Sequence, residues 1–345
     1  MPFLDFFHQV AARRHLSAAQ AEEAMLLALS GEATTAQIAA FLTALRMKGE
    51  TADEIYGFAR AMRSRVVRVD GGDPAQLLDT CGTGGDGGRT FNISTVTAFV
   101  VAGAGVRVAK HGNRSLSSTC GSADVLEALG IDIALAPDRM GACIREVGLG
   151  FLFAPALHPA MKYAQPARAE IKLRTAFNLL GPLTNPAGAS RQLIGAPSAE
   201  AAALMAGALA RLGVDRGFVV HGSDGLDEVT TTGPTHVWEI ATGSVREYEL
   251  TPEDFGVPRA ALEDLRGGGP PENAVITRAV LGGEQSPRRD IVLVNSALAL
   301  MAAGQAADYR SAMALAGESI DSGAAASVVE RLSRFTAGRA GAGAV

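Results

Sequence analysis

Cysteine, lysine, net positive charge and long apolar runs are all in short supply in this chain, and each shortage removes a class of answer. Of 345 residues three are cysteines, Cys81, Cys120 and Cys143. An odd number without C-x-x-C spacing excludes a disulfide framework and a structural zinc site, and the expected setting is the reducing cytoplasm. Lysine occurs only at positions 48, 110, 162 and 172, so a lysine inside a motif stands out. Lys+Arg 31 against Asp+Glu 36 gives a formal net charge of −5, which provides no global field to attract nucleic acid. Any anion site must be local, and the expected partner is a small anionic molecule. No apolar run approaches the ~20 residues of a membrane-crossing helix, and the early Asp5 leaves no hydrophobic signal core. The chain reads as soluble and unexported.

What it has instead is glycine, hydroxyl and fixed positive charge packed together. The run Asp79-Thr-Cys-Gly-Thr-Gly-Gly-Asp-Gly-Gly-Arg-Thr-Phe-Asn-Ile-Ser-Thr95 is followed by Lys110-His-Gly-Asn-Arg-Ser115. Glycines let backbone N–H groups approach an anion closely, and Asn92, Ser94 and Thr95 open a helix whose N-terminus adds free donors. Together they form a phosphate cradle. Gly82-Thr-Gly84-Gly-Asp-Gly87 also matches G-x-G-x-x-G, but a nicotinamide site wants an acidic residue at the end of the next strand, where this chain has Lys110 to Arg114. A P-loop fails because no Lys-Ser or Lys-Thr closes the run.

Three capping boxes, Ser17 with Gln20, Thr34 with Gln37 and Thr51 with Glu54, precede apolar patterns at helical spacing, after a first helix around Phe3 to Arg14. They predict a small all-helical domain over residues 1–70, closed by the linker Asp70-Gly-Gly-Asp-Pro74. Residues 75–345 then form a larger α/β domain with a mainly parallel sheet. Its expected strands are Gln76 to Asp79, Val106 to Ala109, Ile131 to Ala134, Gly150 to Phe153, Arg191 to Gly195 and Phe218 to His221. Residues 158–186 interrupt the alternation and are expected to pack back on the N-terminal helices. His236 to Ile240 and Ser244 to Leu250 around Thr242-Gly243 read as a hairpin, Gly267 to Pro271 as a surface loop, and the Gly/Ala-rich tail from Ala337 as frayed.

Asp227 and Glu228 follow the strand Phe218 to His221. Adjacent carboxylates on a loop suit Mg²⁺, which binds protein through one or two carboxylates plus substrate phosphates. His111 has no paired carboxylate nearby in sequence to make it a general base, and is expected to orient structure or substrate. His158, Tyr163 and Arg168 are expected on one helical segment beside the cleft, where Arg168 could grip a planar carboxylate with its bidentate fork.

Six ordered motifs, Gly82 to Asp86, Thr90 to Thr95, Lys110 to Arg114, Gly121 to Asp124, Arg174 to Pro186 and Gly225 to Glu228, closely resemble those of the anthranilate phosphoribosyltransferases. The resemblance implies a small helical domain, a nucleoside phosphorylase-like α/β domain, and a homodimer formed through the small domains. It implies transfer of phosphoribosyl from phosphoribosyl pyrophosphate to the amine of anthranilate, in tryptophan biosynthesis. By position, Gly82, Gly85, Asp86, Thr90, Asn92, Ile93, Ser94, Thr95, Lys110, His111, Gly112, Asn113, Arg114, Ser115, Leu116, Ser117, Ser118 and Ser122 would bind phosphoribosyl pyrophosphate. Gly82, Asn113 and Arg168 would contact anthranilate, and Lys110, Asn113 and Arg168 would carry the catalysis. Ser94, Asp227 and Glu228 would hold Mg²⁺, as two ions per subunit. Cys120 departs from the family's usual small hydroxyl residue, and Lys172 from a common glycine. A pyrimidine nucleoside phosphorylase would lack the Lys-His-Gly-Asn-Arg and Asp-Glu pairs, and a nucleic-acid-binding relative would show a basic surface without the metal carboxylates.

Overall fold

Each of the three capping boxes opens a helix in a computed structural model of the chain, which describes residues 1–84, 90–115 and 119–338. After α1 (Phe3–Ala11) come α2 (Ala18–Ala28), α3 (Thr35–Lys48) and α4 (Ala52–Arg65). Ser17, Thr34 and Thr51 accept from the N–H three residues on, while Gln20, Gln37 and Glu54 accept from the cap N–H. Donors that a helix start leaves open are thereby satisfied. The first helix stops short of the expected Arg14, because Arg13 turns to φ 59. Phe41 binds the bundle together, its ring 5.2 Å from Phe3 and 6.3 Å from Phe58.

The sheet begins with β1 (Leu77–Gly82), α5 (Ile93–Gly103), β2 (Arg107–Gly112), α6 (Ser122–Ala128), α7 (Pro137–Val147) and β3 (Leu149–Phe153). A short α8 (Ala154–Leu157), a 3₁₀ turn Pro159–Tyr163, α9 (Gln165–Ile171) and α10 (Ala176–Leu180) follow. Then come β4 (Arg191–Gly195), α11 (Ala199–Arg211), β5 (Arg216–Gly222), β6 (Thr235–Ala241) and β7 (Ser244–Leu250). The chain finishes with α12 (Pro270–Leu281), α13 (Pro287–Ala302), α14 (Tyr309–Asp321) and α15 (Ala324–Ala337).

The strand order is β3-β2-β1-β4-β5-β6-β7, parallel from β3 to β5, with β6 and β7 antiparallel at one edge. Thr242 (φ 48) and Gly243 (φ 81) form the two-residue β6–β7 turn, where two positive φ values match the strand twist. Side chains alternate across the sheet. Phe218 and Val220 join the core under α5 and α13, whereas Val219 faces a second core shared with α11, α10 and the N-terminal helices. Residues 164–183 contribute Ala164, Phe177 and Leu183 to that second core.

Two local expectations are corrected. Ile131 to Ala134 alternates buried and exposed side chains as a strand would, yet forms no ladder. The Asp132 N–H donates to Thr336 Oγ1 and the Ala134 N–H to Asp132 Oδ1, so the segment is a connection to α7 outside the sheet. His158, Tyr163 and Arg168 do not share one helix. Pro159 and Pro166 lack the N–H a helix interior needs, and each starts a new element instead.

Candidate active site

The chain leaves β1 for β2 and β3 on one side and returns to β4 on the other, which opens a crevice at the carboxyl ends of β1 and β4. Gly82 and Gly195 are paired there in the register. Both must be glycine because Asp227, on the loop after β5, lies against them. A Cβ on Gly82 would stand 2.7 Å from Asp227 Oδ2, and one on Gly195 would stand 1.6 Å from the Asp227 carbonyl oxygen. The bare backbone thus makes room for a carboxylate at the floor of a cavity of about 300 Å³.

Every predicted site residue among the described ones lines that cavity. Gly85, Asp86, Leu116, Ser117 and Ser118 lie outside the described residues. Gly82, Thr90, Asn92, Ile93, Ser94 and Thr95 come from the β1–α5 connection. Asn92 caps α5 without a side-chain bond to the helix, and the Thr95 hydroxyl, in a residue 1% exposed, has no partner among the described residues. An open helix start with an orphaned hydroxyl is suited to receiving an anion.

Lys110 enters from β2 and is 2% exposed. Its ammonium donates to Thr80 O and to Ser94 Oγ, the latter at 3.2 Å. Burial lowers its pKa, opposed first by the charge of Asp79. Asp79, wholly buried, is pushed up to about 6 by burial, although Asn185 Nδ2 donates to its Oδ2 at 2.7 Å and His111 N to its Oδ1 at 3.0 Å. Gly112, Asn113, Arg114 and Ser115 continue from β2. Asp124 shapes this turn by accepting from Ser115 N and Gly121 N, and Ser122 donates its hydroxyl to Asn113 O. The Arg114 guanidinium is held by Glu127 and Asp124, which raise its pKa, so its charge is already paired beside the cavity it borders.

Arg168, from α9, also lines the cavity and is half-buried, its guanidinium 5.2 Å over the Phe177 ring. Among the described residues its one side-chain hydrogen bond is a long 3.5 Å contact to the Gln165 amide oxygen, and burial lowers its pKa. No carboxylate pairs with it among the described residues. His111 is not a free base. Its Nδ1 lies 3.1 Å from Gly181 O and its Nε2 3.2 Å from His158 Nε2. A carbonyl only accepts, so the His111 Nδ1–H donates to it and the His158 Nε2–H donates to His111 Nε2. Both nitrogens of the ring are engaged. Burial and then the neighbouring His158 push His111 down to about 3, and burial pushes His158 to about 4, keeping the pair neutral.

Arg174, Phe177, Asn178 and Pro182 also line the cavity and were given no role from sequence. Arg174 donates to Thr83 O at 3.3 Å and Gly84 O at 3.2 Å, gripping the start of the glycine run. Its motif was visible, but a contact between residues 90 positions apart has no local signal.

The donor set fits a hard cation. Asp227 and Glu228 bring carboxylates and Ser94 a hydroxyl to the same cavity, and Thr83 donates to Asp227 Oδ2 at 3.4 Å. Among the described residues no three His, Cys, Asp or Glu close a metal cage. A cation here would draw its remaining ligands from water and from phosphate oxygens, as Mg²⁺ does.

Two family models cover most of the chain: the helical bundle domain of a glycosyl transferase family over residues 4–66, and that family's a/b domain over residues 74–326. An anthranilate phosphoribosyltransferase of Solibacter usitatus is 62% identical over 340 residues, 98% of this chain and 100% of the relative. The crystal structure of the enzyme of that name from Thermus thermophilus superposes with a TM-score of 0.90 at 46% identity, covering 96% of this chain and 99% of that one. One from Saccharomyces cerevisiae, in complex with PRPP and Mg, gives 0.88 at 30% identity over 97% and 98%.

Proposed function

The chain belongs to the anthranilate phosphoribosyltransferases, and on that premise we propose how its cavity divides the work of their reaction. The enzyme is a pentosyltransferase of tryptophan biosynthesis. It moves the 5-phosphoribosyl group from phosphoribosyl pyrophosphate to the amine of anthranilate, giving N-(5-phosphoribosyl)anthranilate and pyrophosphate. One observation supports the division most: a single cavity is lined by the α5 start, the buried Lys110 and Arg168, with which no carboxylate pairs among the described residues.

Breaking the bond from the anomeric carbon to pyrophosphate leaves positive charge on the sugar and negative charge on the leaving group. Lys110, the N-terminus of α5 and the glycine-run amides stabilise the leaving group, in a partly desolvated site where each donor counts for more than in water. Ser94, Asp227 and Glu228 would hold Mg²⁺, as two ions, which would supply further neutralisation of pyrophosphate charge. Asn113 and Arg168 place anthranilate so that its amine attacks from the opposite face and inverts the anomeric centre. An aromatic amine becomes strongly acidic as it bonds to carbon, so no side chain is assigned as its base.

We assign the binding of phosphoribosyl pyrophosphate to the cavity residues named from sequence, with Gly82 bordering the anthranilate pocket. The helical unit of residues 1–70, joined by 158–186, forms one domain and residues 75–345 the other. Leu4 and Met47, exposed on α1 and α3, support a homodimer through the small domain. Three free, buried cysteines support work in the cytoplasm.

The metal assignment is tested by Asp227→Ala combined with Glu228→Ala. Activity, followed as loss of anthranilate fluorescence, is expected to fall to near zero at any Mg²⁺ concentration, with calorimetric Mg²⁺ binding lost in parallel. Wild-type turnover in the double variant overturns the assignment.

A further inference from the structure

The Gly267–Pro271 run, a surface loop by sequence, lies behind the phosphate-binding turn. Thr90 forms an isolated antiparallel bridge with Arg266, and Phe91 N donates to Leu265 O at 3.3 Å. The approach is so close that a Cβ on Gly267 would stand 2.6 Å from the backbone of Phe91. Asn273, in the first turns of α12 and 1% exposed, joins these pieces. Its Oδ1 accepts from Gly268 N at 2.8 Å, and its Nδ2 donates to Asn92 Oδ1 at 2.9 Å. Asn92 Nδ2 in turn donates to Cys120 O at 3.0 Å.

This relay has a single polarity. It starts at a backbone N–H, which can only donate, and ends at a carbonyl, which can only accept, so both amide orientations are determined by the network. Among the described residues no acceptor takes the second Nδ2–H of Asn92, a residue that lines the cavity. Reversed, it would turn its carbonyl oxygen toward an anionic ligand.

We propose that Asn273 is a positioning residue for phosphoribosyl pyrophosphate, setting the Asn92 amide so that a donor faces the ligand oxygens. The proposal rests on Asn92 as a substrate contact, and the experiment separates the two. Asn92→Ala is expected to raise KM for phosphoribosyl pyrophosphate ~10-fold, the effect of one lost hydrogen bond to a charged ligand. Asn273→Ala raises it to a similar degree, with kcat and KM for anthranilate within about twofold of wild type. In the Asn92→Ala background, Asn273→Ala adds less than about twofold, because the group it acts through is gone.

Asn273→Asp still accepts from Gly268 N but faces Asn92 with an acceptor, and its effect is at least that of Asn273→Ala. If the alanine variant does not melt cooperatively, the aspartate variant carries the cycle. An unchanged KM in Asn92→Ala removes the substrate contact and the proposal with it. Normal KM in Asn273→Ala with a raised one in Asn92→Ala, penalties that multiply, equal losses for both substrates, or unfolding of both Asn273 variants each overturn the positioning role alone.

Discussion

Two lysine side chains are buried in this protein, one in the helical unit and one on the sheet, and they are treated in opposite ways. Lys48, at the α3–α4 turn with a side chain 2% exposed, has an acceptor for each of its three protons: Gly49 O at 2.6 Å, Glu54 Oε2 at 2.8 Å and His15 Nδ1 at 2.9 Å. Glu54 is equally saturated, accepting also from Leu16 N and Thr51 N. Lys110, buried as a whole residue, uses two protons on Thr80 O and Ser94 Oγ and has no third acceptor among the described residues. A cation with complete partners holds structure, whereas one with a spare donor toward a cavity is kept for a ligand.

The contrast can be broken in three places. Lys110→Met should lower kcat/KM by ~10³, about 4 kcal/mol of transition-state stabilisation, without lowering the melting temperature, since an apolar chain replaces an incompletely paired cation. Parallel losses of activity and stability would make Lys110 a structural lysine after all. Glu54→Gln should do the reverse. It strands the Lys48 charge and is expected to cost about 3 kcal/mol in urea unfolding, with turnover per folded molecule unchanged. A drop in kcat at full folding would show that the helical unit's buried pair reaches the chemistry.

The smallest effect is expected at a third lysine. Lys172 closes α9 at φ 50, a left-handed position that favours glycine. Lys172→Gly should gain about 0.5–1 kcal/mol in the same unfolding assay, the relief of strain outweighing the added freedom of the unfolded chain. A loss of stability would mean that the lysine side chain contributes more than its backbone costs.

Local chemistry was legible in the sequence where a few neighbouring residues decide it. The capping boxes, the Thr242-Gly243 turn and the α5 start all depend on residues within one turn of each other. Ile131 to Ala134 has the alternation of a strand but no neighbour to pair with, and a ladder partner is a property of the sheet rather than of the run. The segment from His158 to Arg168 kept its place beside the cavity but not its continuity, because its prolines stop a helix that periodicity alone would extend.

By itself, the sequence determined which groups were available: a glycine run, a helix start with hydroxyls, one lysine among few, and two adjacent carboxylates. Only the tertiary structure decided which of them were free to act. Arg114 and Arg168 carry the same guanidinium, yet the first is neutralised by Glu127 and Asp124 while the second meets an aromatic face, a neutral amide and the cavity. His111 is silenced by a carbonyl and another histidine, and Asn92 is oriented from a helix 181 residues away. A side chain's chemistry is written in its residue type, but its unsatisfied valence is set by what the fold places against it.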